Sequence, residues 1–142
     1  MKNLKEANLS ISGKNVLITG ASRGIGRSLS IELSKLGANI ILLSKNESLL
    51  ENIYDEISDK TETDPSIIGC DLNLLDEPRS QEISNIISDN YIDLDCIIHN
   101  AAIIEKMSNI EEYDLVSWEK VMKVNLTSSF LLTKFLLPNM EN

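Results

Sequence analysis

The sequence predicts an α/β fold built on a doubly wound parallel sheet. Four short apolar runs alternate with segments of helical periodicity along the 142 residues. The runs are nearly continuous, as expected of parallel strands that helices cover on both faces. No internal repeat, low-complexity tract or long linker interrupts the alternation. Strands and helices in strict alternation form parallel sheets with right-handed crossovers, so we expect one domain over residues 1–142.

The strands are predicted at 15–19, 39–43, 66–70 and 94–99. The first helix lies between the first two strands, and Gly37 follows it at a position where glycine often ends a helix. Its apolar residues are spaced by four, four and three, which is the pattern of one helical face. The predicted buried face consists of Ile25, Leu29, Leu33 and Leu36.

Three more helices follow the other strands. The second spans about 47–59, and its apolar side consists of Leu49, Leu50, Ile53, Tyr54 and Ile57. The third spans about 76–89, tolerates Pro78 in its first turn, and carries Ile83, Ile86 and Ile87. The fourth is the longest, about 115–137, and Pro138 ends it. Its predicted inward stripe is Trp118, Val121, Met122, Asn125, Ser129, Leu132 and Leu136.

The composition excludes several classes of partner. The formal net charge is −9, whereas nucleic acids and anionic membranes bind basic surfaces. No apolar run approaches the roughly 20 residues that span a bilayer. The first residues, MKNLKEANLSISGK, are polar and lack the apolar segment of a signal peptide. We therefore expect a cytoplasmic protein that binds neither nucleic acid nor membrane.

The two cysteines are predicted to be free thiols. If the strands follow the common order 3-2-1-4, strands 3 and 4 lie at opposite edges of the sheet. Cys70 and Cys96 would then be too far apart for a disulfide. The chain contains no C-x-x-C pair, and its one histidine, His99, has no evident partner ligands. No metal site is predicted.

The stretch VLITGASRGIG, residues 16–26, places three glycines where the first strand gives way to the first helix. A helix N-terminus offers unpaired N–H groups and partial positive charge to a phosphate. Gly20 permits a sharp exit from the strand, Gly24 removes a Cβ where a pyrophosphate would approach, and Gly26 allows close packing of helix on sheet. A strand before the turn and a helix after it favour nucleotide binding over a glycine-rich turn that binds nothing.

The spacing G-x-x-x-G-x-G in TGASRGIG resembles the cofactor motif of the short-chain dehydrogenase/reductase family. Further similarities follow in that family's order: Asp71 after strand 3, HNAA at 99–102 after strand 4, where Ala102 replaces the usual glycine, and VNLTSSF at 124–130. The sequence around strand 4 is similar to that of a bacterial branch of uncharacterised cytoplasmic oxidoreductases. The resemblance implies an NAD(P)-binding Rossmann domain over 1–142, truncated after the fourth β-α unit. The cofactor contacts it implies are Gly20, Ser22, Arg23, Gly24, Ile25, Gly26, Lys45, Asp71, Leu72, Asn100 and Ala101.

The end of strand 2 indicates which dinucleotide is preferred. NAD-binding sites place an acidic residue there to hold the ribose 2′-hydroxyl. This chain has Ser44 and Lys45 instead. Lys45 and Arg23 stand where NADP-preferring members of the family have cations, and cations favour a 2′-phosphate. We expect NADP (NADPH) as cofactor, with NAD less favoured; the alternative is that both are ordinary solvated charges.

The catalytic half of the family's site is absent. The family uses a tyrosine, a lysine four residues later and a serine to handle the proton at the substrate oxygen. None of the three tyrosines here is followed by lysine at that distance. Asn125 matches the family's helix-borne catalytic asparagine. The alternative for Asn125 is a buried structural residue, hydrogen-bonded to main chain near strand 4, and in this chain we favour that alternative.

The sequence allows three functional interpretations. The leading one is the cofactor-binding part of an NADP-dependent oxidoreductase that acts, when complete, on a carbonyl or alcohol and forms a homo-oligomer. The second is a non-catalytic nucleotide-binding or partner-binding protein, or the remnant of an interrupted gene. A purely structural domain is disfavoured because the glycine turn, Asp71 and Asn100 converge on one ligand. Strand 4 would form an exposed apolar edge, so we expect the isolated chain to be marginally stable.

Overall fold

The four predicted strands form one parallel sheet. The computed structural model describes residues 10–91 and 93–140. Its strands are β1 (Asn15–Thr19), β2 (Asn39–Ser44), β3 (Ser66–Gly69) and β4 (Cys96–Ile98), in the order β3-β2-β1-β4. All three pairings are parallel, which confirms the predicted order. β4 is shorter than the predicted 94–99, because the Leu94 N–H bonds to the Asn139 carbonyl instead of extending the ladder.

Within the described residues, five α-helices connect and flank the strands: α1 (Gly24–Lys35), α2 (Glu47–Lys60), α3 (Glu77–Asn90), α4 (Leu115–Met122) and α5 (Ser128–Leu136). A π-helical turn, Lys123–Thr127, joins α4 to α5, and 3₁₀ turns span Ile110–Glu112 and Leu137–Asn139. Asn46, Asp76 and Asp114 cap α2, α3 and α4 by accepting the N–H three residues later. Such caps satisfy N–H groups that have no partner within the helix.

Helices cover both faces of the sheet, as the doubly wound fold requires. Alternate residues of each strand point to opposite faces, so Val16 and Ile18 of β1 join one core while Leu17 joins the other. The first core contains α1 and α2, and its remaining buried members are Ala21, Ile31, Ala38, Ile40, Leu42, Leu50, Ile53 and Ile57. The second contains α3 and α5, and its remaining buried members are Ile41, Leu43, Ile68, Cys70, Leu72, Leu75, Ile83, Ile87, Leu94, Val124, Leu131, Leu132 and Leu136.

The predicted buried face of α1 is only partly correct, since Leu29 and Leu33 are half-buried and pack against the first core. Ile25 and Leu36 are 73% and 61% exposed, and the buried residues are Gly26, Ser30, Ile31 and Ser34. The Ser30 hydroxyl donates to the Gly26 carbonyl at 2.8 Å, and Ser34 donates to the Ser30 carbonyl at 2.7 Å. Small residues at four-residue spacing let the helix approach the strands closely, and their hydroxyls are satisfied inside the helix. Hydrophobic periodicity cannot register a face made of glycine and serine.

The fourth predicted helix is helical throughout, but its stripe is only partly correct. Leu132 and Leu136 are buried, whereas Trp118 is half exposed and Asn125 is exposed. α5 packs on α3, while α4 has no buried residue. The π turn between them adds one residue to a helical turn, so a single periodicity does not describe the whole segment. The stripes of α2 and α3 are correct at Leu50, Ile53, Ile57, Ile83 and Ile87.

β3 and β4 are the edges of the sheet, and all three residues of β4 are half-buried. The cysteines that follow or begin these strands are both free, as predicted. Within residues 10–91 and 93–140, no helix is both long enough and apolar enough to cross a bilayer. The same residues contain no cluster of histidine, cysteine and acidic side chains suited to a metal ion.

Candidate functional site

A cleft of about 460 Å³ opens at the carboxyl ends of the strands. Ligands of doubly wound sheets bind at this edge, where the strand order reverses. β1 is the first strand in sequence and lies between β2 and β4, so this sheet reverses there. Of the eleven predicted cofactor contacts, all except Gly26 line the cleft. The other lining residues are Leu43, Ser44, Asn46, Leu49, Cys70, Asn73, Ala102, Ile103, Lys120 and Val124.

The glycine turn forms the base of the cleft with a backbone that other residues rarely adopt. Gly20 and Gly24 have φ values of +66° and +55°. A Cβ at Gly24 would meet no atom within 4 Å, so the space above this residue is open. Arg23 is the N-cap of α1 and makes no side-chain capping bond. The first N–H groups of α1 are therefore available to an anion approaching over Gly24.

Gly26 lies beneath the cleft and does not line it, and its role as a cofactor contact stays a prediction. A Cβ here would lie 2.3 Å from the Gly20 carbonyl oxygen and 2.6 Å from Asn100 Nδ2. Gly26 is needed for the close contact between α1 and the turn that precedes it. Its effect on a ligand is through the position of that turn.

Thr19 and Asn100 hold the glycine turn to the end of β4. The Thr19 hydroxyl accepts the N–H groups of Asn100 and Ala101, each at 3.1 Å. Asn100 Nδ2 donates to the carbonyls of Thr19 and Gly20 at 3.0 and 3.3 Å. The Asn100 amide nitrogen is thus used within the protein, although the residue lines the cleft. Sequence reasoning did not single out Thr19; the available signal was a hydroxyl residue ending an otherwise apolar strand.

The two predicted cations both line the cleft, Arg23 in the glycine turn and Lys45 directly after β2. Arg23 and Lys45 are exposed, and among the described residues neither forms an ion pair with a carboxylate. Between them, the buried Ser44 hydroxyl donates to the Ser22 hydroxyl at 3.0 Å. This bond ties the tip of β2 to the glycine turn. The two cations are free to contact an anionic ligand in the cleft.

The segment after β3 forms the opposite rim. Asp71 is half-buried, and its Oδ1 accepts the Asn73 N–H at 2.9 Å, which fixes the carboxylate in an Asx turn. Leu72 is 7% exposed and belongs to the second core. Burial raises the pKa of the neighbouring Cys70 thiol, against the opposing effect of Arg79. Cys70 is therefore a neutral, apolar part of the cleft wall at neutral pH.

Asn125 is joined to main chain after β4 and does not line the cleft. Its Oδ1 accepts the Ile103 N–H and its Nδ2 donates to the Ile103 carbonyl, both at 2.9 Å. This matches the structural alternative for Asn125, with one correction. The residue is exposed rather than buried, because it lies in the π turn at the open end of the sheet.

Sequence reasoning indicated the loop that begins at Ile103 as a wall of the pocket but missed Lys120 and Val124 in the following helical segment. Ile103, Lys120 and Val124 line the cleft. Lys120 and Val124 are four residues apart and so share one face of a helix. That spacing could have predicted that Lys120 and Val124 lie on one side of a helix. No local sequence pattern, however, could have predicted that this side lies next to the ends of the strands.

The sheet order, the glycine turn at the start of α1 and the cleft across the strand ends define a Rossmann-type nucleotide-binding domain. The chain belongs to the short chain dehydrogenase family, whose family model matches residues 14–142. It is 34% identical over 128 residues to the uncharacterized oxidoreductase YciK of Escherichia coli K12, covering 90% of this chain and 51% of that protein.

Solved structures show the same likeness. The crystal structure of an Escherichia coli CFT073 protein complexed with NADPH superposes with a TM-score of 0.88 at 34% identity, over 92% of this chain and 55% of that one. The short chain dehydrogenase from Shigella flexneri gives a TM-score of 0.89 at 32% identity, over 92% and 51%. The chain spans about half the length of the relatives it matches.

Proposed function

We propose that this chain binds NADP(H) and is the cofactor-binding part of a short chain oxidoreductase that acts on a carbonyl or alcohol. The observation that carries the proposal is the open cradle over Gly24, where a Cβ would fill space beside the uncapped start of α1. A pyrophosphate fits such a cradle because backbone N–H groups and the helix dipole both favour an anion. Relatives crystallised with NADP and NADPH support the same assignment.

The preference for NADP over NAD rests on Arg23 and Lys45. A 2′-phosphate on the adenine ribose would extend toward the end of β2, where Lys45 follows the strand. No carboxylate occupies the strand tip to accept a bond from a 2′-hydroxyl. Cation–phosphate hydrogen bonds are about twice as strong as neutral ones, so the two cations favour the phosphorylated cofactor.

The double variant Arg23→Ala/Lys45→Glu tests this preference. We expect NADPH affinity to fall about 100-fold, since hydrogen bonds to charged groups contribute about 1.5–3 kcal/mol each. NADH affinity should change only a few-fold, as judged by isothermal titration calorimetry with both cofactors. Lys35→Glu, at the other end of α1, lowers the net charge by two, against three in the double variant, and so controls for most of the change in net charge. Equal losses for both cofactors would refute the assignment of these cations to a 2′-phosphate.

The bound nicotinamide would supply hydride transfer, and the residues of this chain would hold and orient it. Proton transfer at the substrate oxygen needs a group with a suitable pKa, and the chain has no Tyr-x-x-x-Lys to provide one. This favours a second candidate for the 142 residues by themselves: a nucleotide-binding protein without turnover. Stoichiometric NADPH binding with no oxidation of NADPH by a panel of aldehydes and ketones would support the second candidate. Measured turnover would support an enzyme complete within this chain.

We also propose self-association through the outer face of α4 and α5. Large apolar side chains are exposed along this face: Leu115, Val116, Trp118, Leu126, Phe130 and Leu137. A row of such residues on one helical segment is typical of an interface. Sedimentation velocity should give a mass above that of a monomer at micromolar concentration.

A further inference from the structure

The wall of the cleft opposite the two cations contains a lysine that the proposed function does not use. Lys120 lies in α4 and lines the cleft together with Val124. Its Nζ is 2.5 Å from Oε1 of Glu105, in the segment between β4 and α4. The two side chains are 48% and 27% exposed. The ion pair therefore lies at the rim of the cleft and joins its two neighbouring elements.

The segment that carries Glu105 has few other attachments. Residues 102–109 form no regular secondary structure, and Ile104 and Met107 are 87% and 89% exposed. The polar contacts that join this segment to the helical segment include the Glu105–Lys120 pair and the Asn125 bonds to Ile103, and the Ile103 side chain also packs against the second core. Ala102 and Ile103 are the part of the segment that lines the cleft. The position of this wall thus depends on its side-chain contacts with α4 and the π turn.

Neighbouring negative charges keep Lys120 protonated, which its ion pair with Glu105 requires. The hydrogen bond and the charge of Glu105 raise the pKa of Lys120, and the charge of Asp71 raises it further. Lys120 therefore stays protonated across the neutral range. Asp71 also lines the cleft, so its charge acts on Lys120 within the same site.

We propose that Lys120 and Glu105 act as a positioning pair, whose ion pair fixes the segment 102–105 as the far wall of the cleft and so slows the release of NADP(H). The inference rests on the proposed function, because it assigns a role to a second wall of the same site. Lys120 acts through Glu105 and the segment it holds. Breaking the pair loosens the wall and affects dissociation more than association.

Charge reversal and charge exchange test the pair. Three variants of the 142-residue chain are compared: Glu105→Lys, Lys120→Glu and the exchange Glu105→Lys/Lys120→Glu. NADPH is displaced by excess NADP⁺ in a stopped-flow instrument, and energy transfer from the single tryptophan, Trp118, reports its release. Lys106→Glu, in the same segment but outside the cleft lining, is the matched control. Far-UV circular dichroism verifies that each variant is folded.

Each single reversal should raise the dissociation rate constant about three- to ten-fold, as expected when an attractive surface pair becomes repulsive. The exchange should restore the rate to within about two-fold, because the pair is re-formed with opposite polarity. Lys106→Glu should leave it unchanged. Unchanged rates in both single variants would overturn the inference, as would an exchange variant as fast as Lys120→Glu, which would mean that the lysine acts on the cofactor directly. Failure of the unaltered chain to bind NADPH would overturn both this inference and the proposed function.

Discussion

Gly26→Ala is predicted to be among the most destabilising single-methyl additions in this chain. The new Cβ would lie 2.3 Å from the Gly20 carbonyl oxygen and 2.6 Å from Asn100 Nδ2, where ordinary contacts begin at 3.4 Å. Moving α1 away from the turn would relieve both contacts, whereas displacing Asn100 from the carbonyls of Thr19 and Gly20 would relieve only the second. Overpacking costs about 1–3 kcal/mol, and each buried polar group left unpaired costs about 1–3 kcal/mol. We expect a loss of about 3–5 kcal/mol, a large share of the roughly 5–15 kcal/mol that stabilises a domain.

Urea denaturation followed by far-UV circular dichroism would measure this loss. Asn100→Ala and the double variant Gly26→Ala/Asn100→Ala complete a double-mutant cycle. Because Asn100 is one of the two groups that the new methyl group meets, the double variant should lose less stability than the sum of the two single variants. A loss below about 1 kcal/mol in Gly26→Ala would refute the argument, since it would mean that α1 can shift without cost. Strict additivity in the cycle would show that Asn100 is not displaced.

Two further predictions concern the turn and the pH dependence of stability. Gly24→Ala and Gly13→Ala both place a side chain at positive φ in open space, so each should lower the free energy of unfolding by about 1–2 kcal/mol. Only Gly24→Ala, in the proposed phosphate cradle, should also weaken NADPH binding, by about ten-fold or more. Equal binding by both variants in a fluorescence titration would refute the cradle. The Lys14 side chain and the Asn15 N–H lower the pKa of Asp95, so this carboxylate stabilises the fold above its ordinary pKa near 4, and the contribution is lost as pH falls through the lower, folded value. Asp95→Asn should therefore reduce the urea midpoint at pH 7, and this reduction should shrink as the pH falls below about 4. A reduction that does not change with pH would refute the argument.

Much of the fold could be predicted because its determinants are local. The strands are short continuous apolar runs, and three helices begin at Asn46, Asp76 and Asp114, whose side chains cap them. The strand order followed from the rule for alternating β-α units. The fully buried residues of α1 could not be predicted, because most of them are small residues that allow the helix to approach the sheet closely, and they are not hydrophobic. Neither could the π turn, which depends on Asn125 reaching the backbone of Ile103, 22 residues earlier.

The candidate site shows the same division. One side of the cleft is contiguous in sequence, from Gly20 to Ile25, and a pattern of glycines and a cation could be recognised there. Lys45 and Asp71 follow strands, so strand ends located them. Lys120 lines the cleft from α4, far along the chain from the glycine turn, and its pairing with Glu105 depends on the path of an irregular segment. Sequence periodicity contains no information about that path.

The glycine turn has one side that supports the fold and another that faces the proposed ligand, so the effects of substitutions on the two sides can be separated. Gly26, Thr19 and Asn100 lie beneath the turn, where a change removes packing or hydrogen bonds that hold β1 to β4. Gly24 and Arg23 lie above it and are exposed, where a change has little to disturb except an incoming ligand. Substitutions in the lower layer should reduce stability first and binding only as a consequence. Substitutions in the upper layer should reduce NADPH binding, and their cost in stability should be limited to the strain of the backbone conformation. Measuring the free energy of unfolding and the NADPH affinity of the same variants would therefore separate the structural residues of this motif from those that contact the ligand.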